Sequence, residues 1–294
     1  MSTILLTGGT GFVGTHIRGR LTSHRVRLLV HRSGSDHRPN EELVHGDVTD
    51  ITSLGDAAQG CDCVIHLVAI IDESDGRTFD SVIRAGTENM VAAAERASVP
   101  RFIHMSAMGA QANPAYPYLN AKKQAENAVT ASNLDWTIFR PSVIFGPGDG
   151  FVNVLADLVR KAPILPVVGS GRSHFQPVAV DDIADAFARA VADPGTSGHI
   201  YELGGSGTYS YEEMLDLLRD ELGKKRRPKV HLPVSLMKAI VALSAPLPKA
   251  LQPPVTTEQL RMLALDNCTD DSATEAMIGR RPVALAEGLG YIRH

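Results

Sequence analysis

The sequence predicts an α/β protein built on a doubly wound parallel sheet, with a smaller, mainly helical C-terminal part. Three observations carry this. Short aliphatic runs alternate with helical patterns up to about residue 145; a glycine-rich turn joins the first of these strands to the first helix; and the chain changes character after "RPSVIFGPGDG". Strands alternating with helices demand right-handed crossovers, hence a parallel sheet with helices on both faces.

The strands are read in order as "TILL", "VRLLV", "LVHGD", "CVIHLV", "RFIHM" and "WTIFR". Between the fourth and fifth, "FDSVIRAGTENMVAAAERA" places Phe79, Val82, Ile83, Gly86, Met90, Val91, Ala94 and Ala97 at three- and four-residue spacing, one face of a helix. That helix stops before Val99-Pro100, because proline disfavours helical backbone in the residue preceding it. Beyond it lie a helix from about Phe151 to Arg160, the turn-rich "APILPVVGSGRSHFQP", the helix "DDIADAFARAV" and the strand "HIYEL". The remainder is helical and punctuated by proline. A nucleotide domain is therefore expected over 1–150, completed by about 178–204, with 151–177 and 205–294 forming a smaller substrate- or partner-binding part.

Bulk properties narrow the chemistry. The 294 residues are 44% hydrophobic and carry a formal charge of -4. No global basic field exists to gather nucleic acid or an anionic membrane, and a small-molecule substrate is the default. The run "KKRRPK" follows the helix "YEEMLDLLRDELG" and is read as cations at a helix C-terminus. Three cysteines make no disulfide framework. Cys61, Cys63 and His66 lie in one strand, whose alternation scatters them over two faces, so no metal site is expected. With no signal peptide pattern and no apolar run of about 20 residues, the expected setting is cytoplasmic, without a membrane span.

In "ILLTGGTGFVGTHI", Gly9, Gly11 and Gly14 satisfy Gly-x-Gly-x-x-Gly, with Gly8 completing a second overlapping pattern. The placement matters more than the pattern: a strand, a tight turn, then a helix N-terminus whose free N–H groups receive a pyrophosphate. This is a Rossmann-type loop. The second strand ends in His31 and Arg32, where an acidic residue would bind the ribose hydroxyls of NAD. A guanidinium there pairs with a phosphate, so NADP is favoured over NAD.

These residues resemble the short-chain dehydrogenase/reductase superfamily in its extended and atypical branches. "TGGTGFVG" is similar to that branch's glycine loop, which implies contacts from Gly8, Thr10, Gly11, Phe12, Val13 and Gly14. "GDVTD" resembles the element flanking adenine, which places Asp47 and Val48 there, and "HLVA" resembles the segment lining the adenine ribose, Leu67, Val68 and Ala69. "RPSVIFGPGD" resembles the run where Pro141 and Val143 approach the nicotinamide. "GDGFVN", "FQPVAVDDIA", "YELGG" and "TTEQLRMLALDN" look like the group of the nucleotide-binding accessory subunit of respiratory complex I.

Within that resemblance, Tyr118 and Lys122 in "YPYLNAKKQAEN" match the Tyr-x-x-x-Lys pair opening the helix after the fifth strand, and Pro117 suits a helix start. Residues four apart share a helix face, so a lysine there favours the phenolate of a tyrosine that exchanges protons with a carbonyl or alcohol. Ser106 is the candidate catalytic serine, although aligning "HMSA" on a double-serine pattern leaves Ala107 in its place. Ile83 stands where the branch often has a helper asparagine. The resulting expectation is an NADP-dependent oxidoreductase using Tyr118 and Lys122. Two alternatives stay open: a non-catalytic nucleotide-binding accessory, assembly or redox-sensing subunit, and a nucleotide-sugar epimerase or dehydratase. The 12-residue link from Ser106 to Tyr118 leaves the latter little room for a substrate loop. The apolar stretch around Leu236 to Leu251 is read as core packing, or as a surface for a hydrophobic substrate or a protein partner.

Overall fold

A computed structural model describes residues 1–31, 36–244 and 255–293; Arg32, one of the expected cofactor contacts, lies outside the described residues. The chain begins Thr3–Thr7 (β1), Phe12–Arg20 (α1), Arg25–Val30 (β2), Glu41–His45 (β3), Ile51–Leu54 (α2) and Cys63–His66 (β4). It continues through Gly86–Arg96 (α3), Arg101–Met105 (β5), Pro117–Thr130 (α4) and Asp135–Pro141 (β6). Next come Ile144–Phe145 (β7), Val152–Lys161 (α5), Leu165–Val168 (β8), His174–Phe175 (β9) and Val178–Ala179 (β10). Val180–Ala192 (α6) and His199–Leu203 (β11) follow, then Tyr209–Ser210 (β12), Tyr211–Glu221 (α7), Lys229–Leu232 (β13), Val234–Ser244 (α8), Thr257–Met262 (α9), Thr274–Ile278 (α10) and Leu285–Gly288 (α11).

Seven strands form one parallel sheet in the order β11-β6-β5-β4-β1-β2-β3. The expected α/β class is thus what the backbone adopts. Consecutive strands step outward from β1 to β3, then restart on the other side of β1 with β4. The reversal between β1 and β4 is the switch point at which such sheets bind ligands beyond their carboxyl ends. Alternation along each strand sends Leu5, Leu29, Val64, Phe102 and Ile138 to one face, where they bury against Met90, Val91, Ala94 and Val129. On the opposite side Phe139 packs against Phe187 of α6 at 4.8 Å between ring centroids. Strands covered on both faces need this near-continuous apolar character.

One local difference from the sequence reading precedes α3. The periodicity predicts a single helix from residue 79; instead Asp80–Ala85 winds as a wider π-helical turn before the regular helix starts at Gly86.

Two compact units divide the chain. The first comprises Met1–Pro141, Val180–Leu203 and Asp271–Arg280; the second Ser142–Ala179, Gly204–Asp270 and Arg281–His294. Asp271–Arg280 joins the first through Ala273 N–H donating to the Glu202 carbonyl at 2.9 Å and through Arg280, 2.7 Å from Asp182 and from Asp185. The second unit has its own core, including Phe145, Leu155, Val167, Phe175, Met214, Leu218 and Leu289. Three two-stranded pairings, β7 with β10, β8 with β13 and β9 with β12, frame it. Within it the basic run is partly structural: Arg227 donates to the carbonyls of Val159 and Ala162 at the end of α5, and Lys229 pairs with Asp216 at 2.8 Å.

Candidate functional site

Gly8 leaves β1 with φ of +74°, a conformation costly for any residue with a side chain. Its carbonyl accepts from Gly11 N–H at 3.1 Å, closing the turn. A Cβ on Gly14 would collide with Gly8 O and lie 2.6 Å from Gly9 Cα, so only glycine lets α1 start this close to the loop. Gly11 N-caps α1 in extended backbone without a side-chain cap, and the first turn holds no acidic residue. The N-terminal N–H groups of α1 are thus left for an anion, beside the positive end of the helix dipole. Thr10 and Gly11 are exposed, Phe12 is half-buried, and Val13 is buried. Beneath the loop, Arg18 forks onto Glu41, with Nε to Oε1 at 2.8 Å and Nη2 to Oε2 at 2.6 Å.

The ends of β2, β3 and β4 converge next to it. Leu67 N–H donates to the Thr7 carbonyl at 3.2 Å, and a Cβ on Gly8 would stand 3.2 Å from atoms of Leu67 and Val68. His31 Nε2 lies 3.0 Å from Asp47 Oδ2, and Arg77 Nη2 is 3.0 Å from the same oxygen. Desolvation acts to raise the Asp47 carboxyl, yet hydrogen bonds from Thr49 and the charges of Arg77 and His31 hold it below the usual range. Val48 is buried, and its carbonyl accepts from Asn89 Nδ2 at 2.8 Å.

Beyond β5, α4 presents Tyr118 and Lys122 one turn apart, with Nζ 6.0 Å from the centre of the phenol ring. Tyr118 packs edge-on to Phe79 at 5.7 Å and borders a cluster with Ile83, Ala121, Ala125 and Ala69. Lys122 is only 1% exposed and donates to the Met105 carbonyl at 2.8 Å. Burial lowers its ammonium to about 8, with Glu126 acting in the opposite direction. Burial also pushes the Tyr118 phenol up to about 12, so the depression expected from a neighbouring lysine is absent from this arrangement.

Ser106, after β5, is tied to a carboxylate on α4. Its hydroxyl donates to Glu126 Oε1 at 2.6 Å, and Arg140 holds the same buried carboxylate with Nε and Nη2, both at 2.7 Å. Desolvation would raise Glu126, but the Arg140 fork and the Ser106 hydroxyl keep it low. Pro141 ends β6 with its carbonyl accepting from Met108 N–H at 2.9 Å; Val143 belongs to the second unit, where its N–H donates to Asn267 Oδ1 at 2.9 Å.

Glu126, Arg140 and His104 escaped sequence reasoning, and His66 is weighed there only as a metal ligand. Glu126 and Arg140 sit in quoted motifs, yet only the fold reveals their pairing. His66 and His104 adjoin across β4 and β5, stacked at 5.6 Å. His66 bridges Thr7 at 2.7 Å and Thr87 at 3.2 Å, and burial lowers it to about 3, with the Lys122 charge contributing. Both are therefore neutral, and no alternation rule would have put a buried pair of imidazoles beside that lysine. Among the described residues no cluster of three His, Cys, Asp or Glu side chains could hold a metal, and no helix is long and apolar enough to cross a membrane.

Residues 8–194, carrying the loop, the switch point and α4, match the family model described as NAD(P)H-binding. The chain belongs to the NAD(P)H-binding family. Its relatives give the family an extended short-chain dehydrogenase/reductase character. It is 28% identical over 284 residues to "NADH dehydrogenase [ubiquinone] 1 alpha subcomplex subunit 9, mitochondrial" of Arabidopsis thaliana, covering 90% of this chain and 70% of that protein. The "Ceramide reductase" of Caulobacter vibrioides is 34% identical over 196 residues, or 64% of this chain and 60% of that one. The dTDP-glucose 4,6-dehydratase DesIV from Streptomyces venezuelae, solved with NAD and TYD bound, superposes with a TM-score of 0.75. At 23% identity over 99% of this chain and 96% of that one, it speaks to the fold. Membership in the family establishes nicotinamide dinucleotide binding of oxidoreductase or epimerase-like type.

Proposed function

We propose that this chain is an NADP(H)-dependent oxidoreductase-like protein exchanging a hydride with a carbonyl or alcohol carbon, Tyr118 being the acid/base. The observation that carries this reading is the one-turn spacing of Tyr118 and Lys122 on α4, with Lys122 buried and its proton labile near pH 8.

The first unit fits the cofactor. Gly8 to Gly14 form a cradle that a Cβ would fill, and α1 begins without a side-chain cap. Thr10, Gly11, Phe12 and Val13 would meet the pyrophosphate; His31, Asp47, Val48, Leu67, Val68 and Ala69 the adenosine half; Tyr118, Lys122 and Pro141 the nicotinamide half. When bound, the cofactor supplies or accepts the hydride. Tyr118, a protonated phenol at neutral pH, gives its proton to the substrate oxygen during reduction and takes it back during oxidation. Lys122 holds positive charge near the phenol, and the proton consumed in each reduction is replaced from solvent. Ser106 serves instead to fix Glu126. The substrate is a small molecule, and exposed Leu236, Ile240 and Leu243 on α8 support a hydrophobic substrate or a protein partner. The free cysteines Cys61, Cys63 and Cys268 suit a reducing, cytoplasmic setting.

A second reading, a nucleotide-binding accessory or assembly subunit without turnover, draws support from Ser106 being engaged by Glu126 and from the buried aliphatic Ile83. Following 340 nm absorbance over quinones, ketones and aldehydes separates the two. Turnover lost in Tyr118→Phe supports hydride transfer; tight NADPH binding with equal, negligible turnover in both proteins overturns it in favour of the subunit reading.

A further inference from the structure

Arg77 occupies the connection after β4, on one side of β1, whereas His31 and Asp47 follow β2 and β3 on its other side. The Arg77–Asp47 ion pair therefore spans the carboxyl end of the sheet beside the glycine loop. Arg77 Nη2 also stands 3.2 Å from His31 Nε2, at the end of the strand where the ribose of a bound dinucleotide is read.

Asp47 is held on both oxygens. Oδ1 accepts from Thr49 N–H at 2.9 Å and Thr49 Oγ1 at 2.8 Å, Oδ2 accepts from Arg77 Nη2 at 3.0 Å, and His31 Nε2 lies 3.0 Å from Oδ2. The negative charge that would repel a phosphate there is paired with the Arg77 guanidinium. Arg77 spends one nitrogen on these contacts; among the described residues its remaining N–H groups meet no partner, and the side chain is 42% exposed. A guanidinium anchored by one edge and open at the other has the geometry for bidentate phosphate capture.

We propose that Arg77, positioned by Asp47, determines cofactor specificity by binding the 2′-phosphate of NADP(H), with His31 as a second donor. The inference rests on the reading of this chain as an NADP(H) binder. It adds a cation from the β4 connection to the expected pair after β2.

Titration of the full chain with NADPH, NADH, 2′,5′-ADP and 5′-AMP tests it, using wild type, Arg77→Ala and Arg77→Gln. Gln keeps a donor for Asp47 while removing the charge, and melting curves check that both variants fold. Wild type is expected to prefer NADPH and 2′,5′-ADP. Both variants should lose on the order of 10- to 100-fold toward those two ligands, the worth of a charged phosphate contact, while NADH and 5′-AMP are unaffected or tighter. Equal weakening of phosphorylated and unphosphorylated ligands, unchanged NADPH affinity, or a wild type that prefers NADH overturns the assignment. A wild type binding neither dinucleotide overturns the broader reading as well, whereas Arg77-dependent selectivity without turnover supports this inference and sinks only hydride transfer.

Discussion

Ser106 donates its hydroxyl to Glu126 at 2.6 Å, and Glu126 is in turn gripped by the guanidinium of Arg140. The serine expected to assist Tyr118 thus helps satisfy a buried anion. Ser106→Ala should cost about 1–3 kcal/mol of stability, the penalty for depriving a buried group of a partner. NADPH affinity should be unchanged. A variant that melts like wild type but binds NADPH poorly would restore Ser106 to the site.

Lys122 should make stability rise with alkalinity. The unfolded chain holds this proton to about pH 10.5, the folded chain only to about 8, so between those values folding releases a proton and higher pH favours the native state. The span is on the order of 3 kcal/mol. Lys122→Met lacks the effect and should be the more stable protein at pH 7, with the gap closing toward pH 10.5. Denaturant titrations at several pH values read this directly; parallel stability curves for the two proteins would contradict it.

Glu41 lies with its carboxylate buried against Arg18, and Arg38 N–H donates to it at 2.6 Å. Burial works against its ionisation, but Arg18 and that N–H lower its proton affinity from the ordinary 4.5. Its contribution is therefore complete above that pH and disappears as acid titrates the folded state. Glu41→Ala, stranding Arg18, should lose about 3–5 kcal/mol, and Arg18→Met with Glu41→Leu should recover most of it. Chemical denaturation of the single and double variants is the check; an undamaged single variant would show the pair to be energetically idle.

Gly14→Ala needs a methyl group where Gly8 O and Gly9 Cα already stand. The loop must move, so both NADPH and NADH affinity should fall together, unlike the selective loss expected at Arg77. Isothermal titration distinguishes the two patterns, and normal dinucleotide affinity in Gly14→Ala would remove the cradle from the binding site.

The sheet was legible because each inner strand is an aliphatic run bounded by turn residues, and the loop because its glycines stand between a strand and a helix. Other features have no periodic signature. The π-helical turn at Asp80–Ala85 barely displaces the apolar stripe through Ile83, and pairs of residues such as Ile144–Phe145 are too short to show alternation. The Arg77–Asp47 and Glu126–Arg140 contacts join residues on separate elements, brought together only by the strand order. Tyr118 and Lys122 could be located from their spacing, yet the Met105 carbonyl that receives the ammonium and the imidazoles near it depend on β4 and β5 being neighbours.

The first unit is drawn from three separated stretches, the last being Asp271–Arg280. On a ribosome, β6 therefore emerges with its outer edge unpaired and waits some sixty residues for β11. Arg280, which binds Asp182 and Asp185, comes later still. The nascent chain carries an apolar open strand through that interval, the state most prone to edge-to-edge aggregation. Slower delivery of β11 is therefore expected to raise the fraction of chains lost to aggregation.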